Sequence, residues 1–193
     1  IAHFEIADLT QDDSIRAMAS RVLAGAPARF ALAGLSMGGY VAQEIMRQAP
    51  GRVTRLALLD TTFKPDTEES RQRRQGLIRL ARTGHFKGVT PRLLPMLVHP
   101  DHLHTPKVAD TVLAMAGRIG KDAFIRQQTA IMGRVDGRAD LERINRLIAQ
   151  TVAVGHATGR GAEGARLLGF DLQQALTAGA GQRTTPILNQ VLA

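Results

Sequence analysis

The pattern of apolar and polar residues predicts alternating strands and helices over residues 1–60. Residues 30–35 and 53–59 are mostly apolar, which is typical of short strands buried on both faces of a parallel sheet. Residues 3–8 predict a further strand. Between the two apolar runs, apolar residues recur at helical spacing and a Pro-Gly pair then ends the helix: Val41, Ile45 and Ala49, followed by Pro50-Gly51.

A second helix is predicted between residues 8 and 27. Asp12 or Asp13 is expected to cap it, because a short acidic side chain can accept hydrogen bonds from the first free backbone N–H groups. Its apolar residues fall on one face: Ile15, Met18, Val22 and Leu23. The order strand, helix, strand, helix, strand predicts a parallel α/β sheet with right-handed connections.

Throughout residues 64–143 the apolar residues recur at helical spacing. Glycine and proline breaks divide this region into four predicted helical segments: residues 68–82, 91–97, 106–118 and 122–132. We therefore predict no sheet strand between Glu68 and Met132. Beyond Gly155 the periodicity is faint, and residues 167–176 and 186–192 predict only short elements.

The most specific motif is Gly34-Leu35-Ser36-Met37-Gly38, placed between a predicted strand and a predicted helix. This is the G-x-S-x-G pattern of a nucleophile elbow, in which small residues flank a serine held on a sharp strand-to-helix turn. The turn would place Ser36 Oγ at a helix N-terminus, where the Met37 N–H can stabilise a developing oxyanion. The alternative is an ordinary turn serine, which the surrounding strand and helix signals disfavour.

Three stretches resemble the α/β-hydrolase superfamily, and more narrowly its esterase, lactonase and acyltransferase branch with a helical cap. They are residues 33–42 (AGLSMGGYVA), 52–61 (RVTRLALLDT) and 88–100 (GVTPRLLPMLVHP). The resemblance runs from about residue 4 to about residue 144. It implies an α/β-hydrolase core with the elbow at residues 1–63 and a helical cap over the acyl pocket at 64–143. The composition of residues 144–193, rich in Gly, Ala, Thr and Gln, predicts an atypical, poorly ordered segment.

The resemblance also implies a catalytic triad in the chain order Ser, acid, His. A serine needs a histidine base, and that histidine needs a carboxylate to orient it. Asp60, at the end of the strand after the elbow helix, is a candidate acid, although a loop or capping aspartate is the simpler interpretation. His156 is a candidate base, but it stands where the family places its acid, and no histidine follows it. We therefore expect weak hydrolase activity or none.

Two further expectations follow from the ways in which this chain departs from the superfamily that it resembles. In the resembling fold a hairpin, a strand and a loop with a second oxyanion donor precede the segment seen here, and that strand lies between the strands at residues 3–8 and 30–35. The chain is thus expected to be a central fragment. A second hypothesis is a change of reading frame near Arg146, which nucleotide sequence across that junction would test.

Composition and charge indicate which classes of binding partner to expect. The net charge is +8, but the arginines are spread along predicted helices without interleaved aromatic residues, so we predict solvated helix faces and no nucleic-acid partner. Arg71, Arg73, Arg74, Arg79 and Arg82 are examples. The chain has no cysteine, no transmembrane run and no visible leader, so a cytoplasmic protein without a membrane partner is expected.

No metal or cofactor is predicted. His99, His102 and His104 cluster in one loop, but they lack acidic partners at helical spacing, and a solvated loop is the simpler interpretation. Two function classes stay open: a serine hydrolase of esters, thioesters or lactones, and a catalytically defective relative that binds a small acyl ligand or a partner. The sequence does not determine the substrate or the oligomeric state.

Overall fold

The computed structural model describes residues 4–86, 88–140, 144, 151–154 and 186–189. Four parallel strands form one sheet in the order β3-β2-β1-β4. The strands are β1 (Phe30–Leu35), β2 (Val53–Leu59), β3 (Thr151–Val154) and β4 (Pro186–Asn189). Leu35 pairs with Leu59 and Leu59 with Val154, so the carboxyl ends of β1, β2 and β3 lie at one edge of the sheet.

Helix α1 (Ile15–Gly25) and helix α2 (Met37–Gln48) flank β1 in the chain and pack against each other. The amphipathic patterns of both helices follow the prediction: Ile15, Met18, Val41 and Ile45 are buried. Ser20 Oγ donates a hydrogen bond of 2.9 Å to Gln48 Oε1 and so joins the two helices at their surface. Buried β-strand residues complete the core, including Phe30, Leu32 and Leu56.

The predicted cap of α1 is wrong, because Ser14 caps the helix instead of Asp12 or Asp13. Ser14 Oγ accepts a hydrogen bond of 3.2 Å from the Ala17 N–H. Asp12 instead pairs with Arg21, with a distance of 2.6 Å between Oδ2 and Nε. The hydrogen bond from Arg21 holds the pKa of Asp12 below its ordinary value. An ion pair with Arg21, a residue of α1 itself, thus outweighs the local capping preference of that aspartate.

The predicted strand at residues 3–8 is also wrong for the part that the structure describes. Residues 4–8 contain only an isolated bridge at Glu5, and Phe4 and Ile6 are 62% and 56% exposed. The edge of β1 opposite β2 pairs with β4 over residues 31–34. Leu9, which is 1% exposed, is the first residue of this segment to enter the core.

The described residues of 68–132 form helices joined by turns and irregular segments and include no strand, so the prediction that this region is mainly helical and contributes no strand is confirmed for those residues. The helices are α3 (Glu68–Leu80), α4 (Pro106–Ile119) and α5 (Lys121–Met132), with a π-helical turn at Ala81–His85 and 3₁₀ turns at Pro91–Met96 and Pro100–His102. Arg74 departs from the predicted solvated face, because its side chain is 16% exposed and pairs with Asp66.

Replacing Gly117 by alanine should stabilise the protein. Gly117 lies within α4 and a Cβ there would meet nothing within 4 Å, so alanine would lower the entropy of the unfolded chain without strain. We expect the free energy of unfolding in urea to rise by about 0.5–1 kcal/mol. Gly120→Ala is the matched contrast: its φ is 76° and its ψ is 169°, a conformation that costs side-chain-bearing residues about 1–3 kcal/mol. Equal effects of both substitutions would contradict this account.

Candidate active site

Ser36 connects the end of β1 to the start of α2. Its φ of 50° and ψ of −117° are unusual for a residue with a side chain, since such conformations cost about 1–3 kcal/mol and persist only where the surroundings enforce them. The prediction that Ser36 lies between a parallel strand and a helix N-terminus is confirmed. The residue is half-buried, and its Oγ makes no hydrogen bond to any residue that the structure describes.

Close packing around the turn explains the first glycine of the motif. A Cβ on Gly34 would lie 2.4 Å from Gly38 O and 2.8 Å from Gly39 Cα, so only glycine fits where β1 passes under the first turn of α2. Gly39, which directly follows the motif, is equally constrained, because a Cβ there would lie 2.3 Å from Thr61 Oγ1.

Three hydrogen bonds hold the backbone of Ser36. Its N–H donates to Leu59 O over 2.9 Å, and its carbonyl accepts from the Gly39 N–H over 2.9 Å. Thr61 Oγ1 donates to the same carbonyl over 2.8 Å. Two of these three partners come from β2 or the segment that follows it, so the sheet itself supports the turn.

Met37 is the first residue of α2, and its side chain is fully buried. Backbone N–H groups at this position of a helix have no partner within the helix. No acceptor for the Met37 N–H is found among the described residues. The group is therefore free to donate to an anion beside Ser36, which is the arrangement that oxyanion stabilisation requires.

Asp60 follows β2 directly, and its neighbour Leu59 accepts the hydrogen bond from the Ser36 N–H. The register of β1 and β2 therefore places Ser36 and Asp60 side by side at the carboxyl edge of the sheet. Asp60 is exposed and has a φ of 42°. His156, the candidate base, lies outside the described residues.

The three clustered histidines lie in the helical region and none of them is hydrogen bonded to Ser36. His99 Nδ1 accepts from the Asp101 N–H over 3.3 Å and lies 3.6 Å from Asp101 Oδ2. In the described ranges, no group of three or more His, Cys, Asp or Glu residues could hold a metal ion. The same part of the chain contains no helix that is both long and apolar enough to cross a membrane.

A cavity of about 480 Å³ lies against α2, and it begins one helical turn after Ser36. Tyr40, Gln43 and Arg47 line it from α2, and Arg134 lines it from the segment after α5. The Arg134 guanidinium lies 4.5 Å from the centre of the Tyr40 ring. Burial lowers the pKa of Arg47, but hydrogen bonds to Glu44 and Asp140 outweigh burial and raise its pKa overall. Of the arginines that line the cavity, Arg47 pairs with Glu44 and Asp140, and Arg134 pairs with Asp66.

The fold of this chain is similar to the folds of several solved hydrolases. An esterase from Thermogutta terrifontis superposes with a TM-score of 0.61 at 21% identity, covering 86% of this chain and 72% of its own. An enol-lactonase from Burkholderia xenovorans LB400 gives 0.59 at 18% identity, covering 85% and 73%. A hydrolase from Pseudomonas aeruginosa gives 0.54 at 21% identity, covering 92% and 63%.

The chain therefore has the α/β-hydrolase fold, with a parallel sheet, and the predicted resemblance to that superfamily is confirmed at the level of the fold. No protein-family model matches the chain, and a search of curated proteins finds no significant match.

Thr61 is a residue of this site to which sequence reasoning assigned no role. Its hydroxyl reaches the Ser36 carbonyl, and its side chain fills the space beside Gly39. The sequence did contain an indication of this contact, because Gly39 lies outside the five-residue motif. An additional glycine at a helix start indicates the close approach of another segment of the chain.

Proposed function

We propose that this chain is a serine hydrolase that acts on carboxylic ester, thioester or lactone substrates, with Ser36 as the nucleophile. The observation that carries the proposal is the strained conformation of Ser36, with φ at 50°, at the junction of β1 and α2. Strain of this kind concentrates at functional sites. An ordinary turn would place glycine or asparagine there at a lower cost in free energy.

The proposed reaction begins with attack of Ser36 Oγ on the substrate carbonyl carbon, while a base accepts the hydroxyl proton. The Met37 N–H donates to the oxyanion that forms. The tetrahedral intermediate collapses, the leaving group takes a proton from the base, and water then hydrolyses the acyl-enzyme by the same steps. Asp60 and His156 are the proposed acid and base.

The helical region is proposed to be a cap that shapes the acyl pocket. None of the residues of α4 is fully buried, and several of its apolar residues are half-buried, as expected of a helix face that borders a substrate space. The names of the similar structures, an esterase and an enol-lactonase, support an acyl substrate. The division into a core at residues 1–63, a cap at 64–143 and a separate segment at 144–193 remains a prediction.

A second candidate is a catalytically defective hydrolase-like chain that binds a small acyl ligand or a partner. It is favoured by the Ser36 Oγ, which has no hydrogen-bond partner among the described residues. Without a base, a serine hydroxyl at its ordinary pKa is a poor nucleophile, and little rate remains beyond binding and oxyanion stabilisation.

A fluorophosphonate probe separates the two candidates, because it reacts covalently only with an activated serine. We expect mass spectrometry of the labelled protein to place the probe on Ser36 and Ser36→Ala to remove all labelling. Ser20→Ala is the matched control, since Ser20 is an exposed serine of α1. Labelling equal to that of the heat-unfolded chain, or labelling at another serine, would support the defective candidate and contradict the first.

A further inference from the structure

The hydrogen bond from Thr61 to Ser36 acts on the peptide group that supplies the proposed oxyanion donor. Thr61 Oγ1 lies 2.8 Å from Ser36 O. The carbonyl of Ser36 and the N–H of Met37 belong to one planar, trans peptide unit, in which C=O and N–H point in opposite directions. Fixing the direction of the Ser36 carbonyl therefore also fixes the direction of the Met37 N–H.

The second hydrogen bond to the Ser36 carbonyl restrains the peptide group less than the hydrogen bond from Thr61 does. The Gly39 N–H also donates to Ser36 O, over 2.9 Å, but Gly39 belongs to the same turn of chain and moves with it. Thr61 follows β2, so its hydroxyl ties the peptide to the sheet. A donor at the carbonyl also polarises the peptide and strengthens the N–H as a donor at its other end.

The close packing of the Thr61 side chain against Gly39 leaves no room for a side chain at position 39. A Cβ on Gly39 would lie 2.3 Å from Thr61 Oγ1, 2.5 Å from its Cβ and 2.6 Å from its Cγ2. Glycine at position 39 is therefore required for the Thr61 hydroxyl to reach the Ser36 carbonyl. This requirement explains a glycine that the G-x-S-x-G motif itself does not demand.

We propose that Thr61 is a positioning residue that orients and polarises the Ser36–Met37 peptide so that the Met37 N–H stabilises the oxyanion. The inference rests on the proposed function, because it assigns a role in the same site. The hydroxyl of Thr61 contacts the Ser36 carbonyl and is not hydrogen bonded to the Ser36 Oγ. It acts through the peptide bond between Ser36 and Met37.

The test compares Thr61→Val, Thr61→Ser and Thr54→Val in the full chain. Thr54 is a matched control, because its Oγ1 also donates to a backbone carbonyl: Thr54 lies in β2, and its partner is Phe30 O of β1, over 3.0 Å. Valine removes either hydroxyl while the shape of the side chain is kept. We expect both valine variants to lower the midpoint of thermal unfolding to a similar extent.

The rate of fluorophosphonate labelling should separate the variants, because the phosphonyl oxygen occupies the oxyanion position. For Thr61→Val we expect the maximal labelling rate to fall about tenfold, which corresponds to one hydrogen bond, with the probe concentration at half-maximal rate unchanged. Thr61→Ser should restore the rate and Thr54→Val should leave it unchanged. A Thr61→Val rate within twofold of the wild-type rate would overturn the proposal.

A second measurement does not depend on hydrolase activity. The ¹⁵N resonance of Met37 reports hydrogen bonding at the Ser36 carbonyl of the same peptide. We expect it to shift in Thr61→Val by more than in Thr54→Val, and to return towards its wild-type position in Thr61→Ser. If the wild-type chain is not labelled, the proposed function fails, but this shift would still support the proposal that Thr61 orients and polarises the Ser36–Met37 peptide. An unmoved Met37 resonance overturns the role of Thr61 whatever the labelling shows.

Discussion

Gly34→Ala is expected to lower the free energy of unfolding by about 3 kcal/mol or more, the upper part of the range for overpacked interiors. The new Cβ would lie 2.4 Å from Gly38 O and 2.6 Å from Gly38 C. Both are backbone atoms, so no change of side-chain rotamer can relieve the overlap. The first turn of α2 would have to move away from β1, and such a movement would also displace Ser36 and abolish fluorophosphonate labelling.

Urea unfolding of purified Gly34→Ala measures the effect, and Gly51→Ala is the matched control. Gly51 lies in a 3₁₀ turn between α2 and β2, and a Cβ there would meet nothing within 4 Å. Substitutions at such surface sites usually change stability by less than about 0.5 kcal/mol. A loss below 1 kcal/mol in Gly34→Ala would mean that β1 and α2 are not packed as described. If Gly34→Ala does not accumulate as folded protein while Gly51→Ala does, the prediction holds in its strongest form.

The parts of this fold that the sequence predicted correctly are the parts that local chemistry determines. β1, α2 and β2 follow from two apolar runs and one helical period, and the turn at Ser36 follows from glycines at fixed positions. The helical region follows from the same period, interrupted by breaks such as Gly84 and Gly120, which both adopt positive φ. None of these features needs information about distant parts of the chain.

The errors arose where ion pairs and strand pairing compete with the local preferences of a residue. Residues 4–8 alternate as a strand would, but they contain only an isolated bridge at Glu5, and the pattern alone did not reveal that β4 pairs with β1. Asp12 has a capping side chain, but Arg21 binds it. Arg74 has the spacing of a solvated residue, yet it reaches Asp66 and Gln128. For the site, the turn at Ser36 was predictable, whereas the contact of Thr61 with the Ser36 carbonyl depends on where the chain runs after β2.

Ion pairs at Asp66 join the two ends of the helical region. Asp66 precedes α3 and Arg134 follows α5, so the two residues stand at the two ends of the region. Arg134 Nη1 lies 2.6 Å from Asp66 Oδ1, and Arg74 Nε lies 2.9 Å from Asp66 Oδ2. Arg134 Nε also donates to Lys64 O over 3.0 Å. One carboxylate therefore joins the beginning of the helical region to its end.

Asp66→Ala should be strongly destabilising for that reason. The Asp66 side chain is 2% exposed and that of Arg134 is 8% exposed, so the substitution leaves two guanidinium groups without their shared counter-charge in a largely dry environment. Removal of one partner from a buried ion pair typically costs about 3–5 kcal/mol. We expect a loss of that size in urea unfolding at neutral pH.

Asp136→Ala is the matched control, because Asp136 also pairs with an arginine, Arg138, whose side chain is 69% exposed. Exposed ion pairs contribute little, since water and salt screen them, so the unfolding midpoint of this variant should stay close to the wild-type value. Asp66→Asn separates the effect of charge from that of shape, because it keeps the size of the side chain but removes its charge. The urea concentration at its unfolding midpoint should lie between those of the wild-type chain and Asp66→Ala. If Asp66→Ala and Asp136→Ala unfold at the same urea concentration, the ion pairs at Asp66 do not hold the ends of the helical region together.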